Sequence, residues 1–243
     1  MKTKKNRIKL FTVLAIVAST VFMSCSSNSN DDNPQEELSE VVMQDFVKNV
    51  NSMAVPSTLA NSNNSFAQQA NAQFQAVKAI GSSFTALFNI PVNAVKAKST
   101  SKVAAKNSAL NSKTYTWSAD GTTVKYTITD NSDRYSFTYH ITSQDFTGKL
   151  MDGYQLKDGS YAEANLFAGG SSSEATIKWW LNDNVSKVEV NLSGNRLVLE
   201  SNLNDNSGNL KIYEASSLLG LYEWNADGSG KFIDYTENET YTW

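Results

Sequence analysis

The chain runs to 243 residues yet holds one cysteine, one histidine and three prolines. A single cysteine excludes an intrachain disulfide framework. A single histidine, His140, leaves a nucleophile triad one candidate base and rules out paired-histidine metal sites. Extended apolar runs are as scarce. The one that stands out, Leu10 to Phe22, is interrupted by Thr12, Ser19 and Thr20 and falls short of the ~20 residues of a membrane-spanning helix.

That run has a specific setting. It follows the basic stretch Met1-Lys2-Thr3-Lys4-Lys5-Asn6-Arg7-Ile8-Lys9, which gives the two regions of an export signal, and it ends Val21-Phe22-Met23-Ser24-Cys25. A small residue before the sole cysteine at this point resembles the lipobox of bacterial lipoproteins. The acidic Asp31-Asp32 that follows is similar to surface-sorting signals in lipoproteins of the Bacteroidota. The resemblance covers the first residues alone. It implies a signal peptide over 1–24, a palmitate-type lipid anchor on Cys25, and an outer-membrane location facing the periplasm or the cell surface. Two or more acyl chains anchor stably at about 0.8 kcal/mol per buried methylene. The Ser/Asn/Asp-rich residues 25–35 read as a flexible tether.

Loss of residues 1–24 takes five Lys/Arg and no acid from totals of 21 and 24. Sixteen basic residues then face 24 acidic ones, a net charge of −8. Such a balance argues against nucleic acid as a partner.

Two periods divide the remainder. Over 36–112 the pattern is helical: Leu38, Val41, Val42, Phe46, Val50 and Met53 form one stripe that Pro56 stops. A second stripe uses Phe66, Ala70, Phe74, Val77, Ile80, Phe84, Leu87 and Phe88. Asn61 to Ser65 reads as the turn between them, and Val92 to Lys113 as a short helix or a connector. Over 113–243 the period is 2, as in Val124-Lys125-Tyr126-Thr127-Ile128 and Tyr135-Ser136-Phe137-Thr138-Tyr139-His140-Ile141. Eight further runs between Gly148 and Tyr235 alternate likewise, separated by turns such as Asp120-Gly121, Asp158-Gly159 and Asp227-Gly228. The phrase Thr-Tyr-Thr-Trp opens this half at Thr114 and recurs at Thr240 to Trp243. The fold expected is α+β: N-terminal helices packed on a large curved antiparallel β-meander, a half-barrel or roll, with helices and strands in a single body.

Chemistry is sparse in this pattern. His140 shares the polar face of its strand with Ser136, Thr138 and Thr142. Asp130-Asn131-Ser132-Asp133 and Asn202 to Gly208 offer oxygen ligands without the frame of a calcium loop. Gly228-Ser229-Gly230 follows a turn and opens a strand, where a phosphate loop would open a helix. No spacing pairs any two of Glu163, Glu174, Glu189, Glu200 and Glu214 for glycoside hydrolysis. Two aromatics oppose the core assignment of their neighbours and are the candidate ligand-binding residues: Trp180, beside Trp179 in Ile177 to Leu181, and Tyr213, beside Lys211. The terminal aromatic Trp243 is similar to the assembly signal of outer-membrane barrels, but the strands are mostly shorter than the ~9–11 residues such barrels need.

The function expected is a non-enzymatic lipoprotein without cofactor or metal. It would be held to the membrane through Cys25 and bind a glycan, a protein or an apolar ligand. The alternative follows from a topological resemblance to the half-barrel lipoprotein-sorting proteins of the Gram-negative periplasm, and implies a carrier of lipid or another apolar ligand in a cavity beneath the helices.

Overall fold

The computed structural model describes Leu38 and residues 42–97, 111–167, 169 and 172–243. The signal peptide, Cys25 and the tether lie outside the described residues. Among the described residues the helices are α1 (Gln44–Ser52), α2 (Ser57–Ala60) and α3 (Ser65–Thr85), the last running into a 3₁₀ turn at Ala86–Phe88. The helical stripes are the buried faces: Phe46 and Val50 of α1, and Ala67, Ala70, Phe74, Val77 and Phe84 of α3. Phe66 and Ile80, expected in the second stripe, are only half-buried, because the buried face is set one residue round, through Ala67. Asn64 starts α3, its Oδ1 accepting the N–H groups of Phe66 at 2.9 Å and Ala67 at 3.4 Å. The Asn-rich turn is therefore also the cap. The short α2 is missing from the sequence pattern. Pro56, with φ −55°, is preset for helix entry as well as for ending α1, and Leu59 is the one buried residue that α2 supplies.

Thirteen strands follow, hydrogen-bonded in chain order as an antiparallel meander. They are β1 (Val95–Lys96), β2 (Asn111–Ala119), β3 (Thr122–Asp130), β4 (Arg134–Thr142), β5 (Thr147–Leu156), β6 (Tyr161–Leu166) and β7 (Ala175–Asn182), then β8 (Val185–Leu192), β9 (Asn195–Asn202), β10 (Gly208–Glu214), β11 (Ser217–Trp224), β12 (Gly230–Asp234) and β13 (Glu239–Thr242). The order ends on β1 at one side and β13 at the other, so the sheet is not closed. Val95-Lys96, expected in a helix or connector, instead pairs with Thr116 and Tyr115, and Ala97 N–H continues the ladder to Thr114 O at 2.9 Å. A segment this poor in large apolar residues has no helical face to bury, and the edge of β2 satisfies its backbone.

The chain forms two compact units: one of residues up to Gln44 with Ser83–Lys157 and Ala164–Glu174, the other of Asp45–Ser82, Asp158–Glu163 and Ala175–Trp243. In the first, register places Tyr126 between Tyr115 and Tyr139, and Val124 between Trp117 and Ile141. All six are buried, and Phe88 closes over this face with its ring 5.0 Å from Phe137 and 6.4 Å from Tyr126. Burial pushes the Tyr126 and Tyr139 hydroxyls upward, so both rings stay neutral. A bulge between Tyr139 and His140 puts the adjacent Leu150 and Met151 both inside, which strict alternation forbids.

In the second unit a single cross-strand row runs Trp179, Val188, Leu199, Leu210, Tyr222, Phe232, Tyr241 from β7 to β13. Helix α3 lies on this row. Phe66 stacks on Tyr241 at 4.1 Å, Phe74 meets Trp224 edge-on at 6.1 Å, and Tyr222 donates its hydroxyl hydrogen to Gln69 Oε1 at 3.2 Å. Helix α1 packs on α3 at Gly81, where a Cβ would lie 3.1 Å from Val50 Cγ1.

Candidate functional site

The row next along the same seven strands faces the other way and runs Trp180, Lys187, Glu200, Asn209, Glu223, Lys231, Thr242. Period-2 alternation makes this the polar face. Its charges pair across strands: Lys187 with Glu200 at 3.7 Å, Glu223 with Lys231 at 2.7 Å, and beside them Lys178 with Glu163 and Arg196 with Glu189, both at 3.9 Å. The carboxylates considered for glycoside hydrolysis on this face, Glu163, Glu189 and Glu200, are thus each held by a cation.

Trp180 and Tyr213 share this face but are not brought together. Trp180, half-buried, lies between the Tyr161 ring at 5.2 Å and the Lys187 ammonium, which stands 4.5 Å from its centroid. Tyr213 stands where an extra residue, Leu219, bulges the facing strand β11, and carries the Arg196 guanidinium 3.7 Å over its ring. Each aromatic therefore has a cation on it. His140 is exposed and opposes Lys125. Around the first Asp/Asn cluster, Asp130 pairs with Lys157 at 2.6 Å and Asp133 with Arg134 at 2.7 Å. Among the described residues no group of three or more His, Cys, Asp or Glu side chains could hold a metal ion, and no helix is long and apolar enough to cross a membrane.

The turns leading into β6, β10 and β12 are built alike. Asp158, Asp205 and Asp227 each accept the N–H and the hydroxyl hydrogen of the serine two residues on, at 2.9 and 2.7 Å. The residue between has positive φ: Gly159, Asn206 and Gly228. These bonds hold all three carboxyls below the usual aspartate range, by the Ser160 N–H first for Asp158 and by the serine hydroxyl first for Asp205 and Asp227.

After two of these turns comes a glycine under a tryptophan. Trp224 lies over Gly208, and its indole N–H donates to Asn206 O at 2.9 Å. Trp243 lies over Gly230 and donates to Gly228 O, also at 2.9 Å. A Cβ on Gly208 would come within 2.8 Å of Trp224 Cζ2, and one on Gly230 within 2.5 Å of Trp243 Cζ2. Each hairpin thus ends in an indole locked by one hydrogen bond on a bed of glycine.

A groove of about 600 Å³ opens where these two arrangements meet, lined by both tryptophans, Asn209, Glu223, Lys231 and Thr242 together with turn residues such as Ser207, Asn225 and Ser229. Trp224 is 3% exposed, whereas Trp243 is half-exposed. Glu223 is the groove's one acidic side chain, and the hydrogen bond to it raises the Lys231 ammonium above its ordinary value. Asn209 donates to Glu200 Oε2 at 3.2 Å, while its own Oδ1 is buried without a partner. The arrangement offers a fixed aromatic surface, amides, hydroxyls and one neutralised ion pair. Sequence alternation misses this groove because Gly208 and Gly230 have no side chain to mark a face; the visible signal was the recurrence of Tyr-x-Trp at Tyr222 to Trp224 and Tyr241 to Trp243. No protein family, curated protein or solved structure matches the chain.

Proposed function

We propose that the chain is a lipoprotein anchored to the outer membrane through acylated Cys25, whose strand-rich body binds an extracellular or envelope partner without acting on it chemically. The observation that carries the binding reading is the groove at the ends of β10 to β13, with a pinned indole at its side and its only acidic side chain held by Lys231. Its anchorage is supported by the basic start, the apolar run and the lone cysteine at its end. Two measurements test the two halves. Cys25→Ser should move the protein from the detergent phase to the aqueous phase, and unchanged partitioning would sink the anchor. Hydrogen exchange on detergent-purified full-length protein, with and without envelope and culture extract, should show protection at residues 206–209 and 223–231. Uniform exchange in both samples would remove the binding reading.

A half-barrel or roll curvature of the sheet would serve the second reading, a carrier of apolar ligand. That reading needs unfilled apolar space on the helix side. The rows there are occupied by Tyr126, Tyr139 and Phe88 in one unit and by Trp179 and Leu199 in the other, all within 1% of full burial, which favours the first reading.

A further inference from the structure

We infer that the groove takes a neutral carbohydrate, a conclusion that rests on the binding reading above and names its ligand class. Charge comes first. Glu223 and Lys231, at 2.7 Å, cancel within the wall, and they are the groove's one acidic and one basic side chain, so neither an anion nor a cation finds an uncommitted counter-charge among the lining side chains. Shape comes second. At about 600 Å³ the space falls within the ~300–1,000 Å³ of small-molecule sites and exceeds the needs of an ion or a single small metabolite.

The surface chemistry then selects among neutral ligands. Trp243 is half-exposed, and its ring is held by the N–H bond to Gly228 O and by contact with Gly230, so an aromatic plane stands ready without loss of rotamer freedom on binding. The C–H face of a pyranose is the apolar patch that lies flat on an indole, while its hydroxyls need paired donors and acceptors around the rim. Thr242 and Asn225 supply hydroxyl and amide there, and behind them the side-chain amide oxygen of Asn209 is buried with no partner of its own. An acyl chain would strand these polar groups unsatisfied.

The test uses detergent-purified full-length protein, in a detergent without a sugar headgroup, titrated calorimetrically with neutral hexaoses of β-1,4-glucose, α-1,4-glucose, β-1,4-xylose and β-1,4-mannose. A hexamer of galacturonate serves as the acidic comparison. At least one neutral hexaose should bind and shift the indole N–H resonance of Trp243. Trp243→Ala should weaken that binding by tenfold or more. Thr242→Arg, at an exposed position where folding is not at stake, should abolish it by filling the groove. Lys125→Ala, exposed in the other unit, should leave it unchanged. No binding of any neutral hexaose at millimolar concentration, binding of galacturonate alone, or binding indifferent to both groove variants overturns the inference. If the sugars fail while extract still protects residues 206–209 and 223–231, the ligand class is wrong and the binding reading survives; if both fail, both fall.

Discussion

Adding one methyl group to residue 208 or 230 is the smallest change that probes the groove. Either Cβ meets an indole on one side and a backbone carbonyl, Glu200 O or Glu223 O, on the other, and a backbone neighbour yields less readily than a side chain. Gly208→Ala should therefore destabilise by about 1–3 kcal/mol or more. A thermal midpoint equal to wild type would mean that Trp224 does not lie where described. The sequence shows these glycines but not their purpose, since the ring that demands each one comes a whole hairpin later in the chain. Trp180 is the converse case. Alternation alone puts it on the polar face, yet nothing local reveals that Lys187 covers it, because that contact depends on how the Asp183-Asn184 turn sets β7 against β8.

At the scale of elements, periodicity is the most legible property. Helices α1 and α3 and the strands from β3 to β12 follow from stripes and alternation, because each must bury one face and water solvates the other. What escapes are features that local pattern does not encode: the short α2 behind Pro56, the two-residue β1, and the bulge that buries Leu150 beside Met151. Alternation makes a sharp energetic demand in the first unit. Tyr126→Ala and Phe137→Ala should each cost roughly 2–5 kcal/mol, whereas Lys125→Ala and Thr138→Ala should stay within about 0.5 kcal/mol. Equal losses on both faces in denaturant unfolding would contradict the register. Burial along the core row of the second unit also fades, from Trp179 at 1% exposure to a half-buried Tyr241 in the short β13. Amide exchange should accordingly be fastest in β13 and slowest in β8 and β9. A β13 protected as well as β9 would show that its outer edge is covered in solution.

At the scale of the molecule, the recurring aspartate turns predict how stability responds to acid. Asp158, Asp205, Asp227 and Asp234 all have their carboxyls lowered in the fold, the last by the Thr236 hydroxyl and the N–H groups of Glu237 and Thr236. A depressed folded value means that the stabilisation is complete above the unfolded aspartate value of about 3.9 and is lost as pH falls through the folded values. The unfolding midpoint should thus decline steadily below about pH 4. Replacing all four aspartates with asparagine should flatten that decline, and an identical slope would show that other groups govern it. The paired indoles and glycines carry a different consequence. Each tryptophan closes over the strand immediately before it, so the interaction is complete within one hairpin and asks nothing of more distant strands. Two hairpins closed in this way are self-contained pieces, so this end of the sheet can be lengthened or shortened in evolution by duplicating or deleting a single block of coding sequence, much as beads are added to a string.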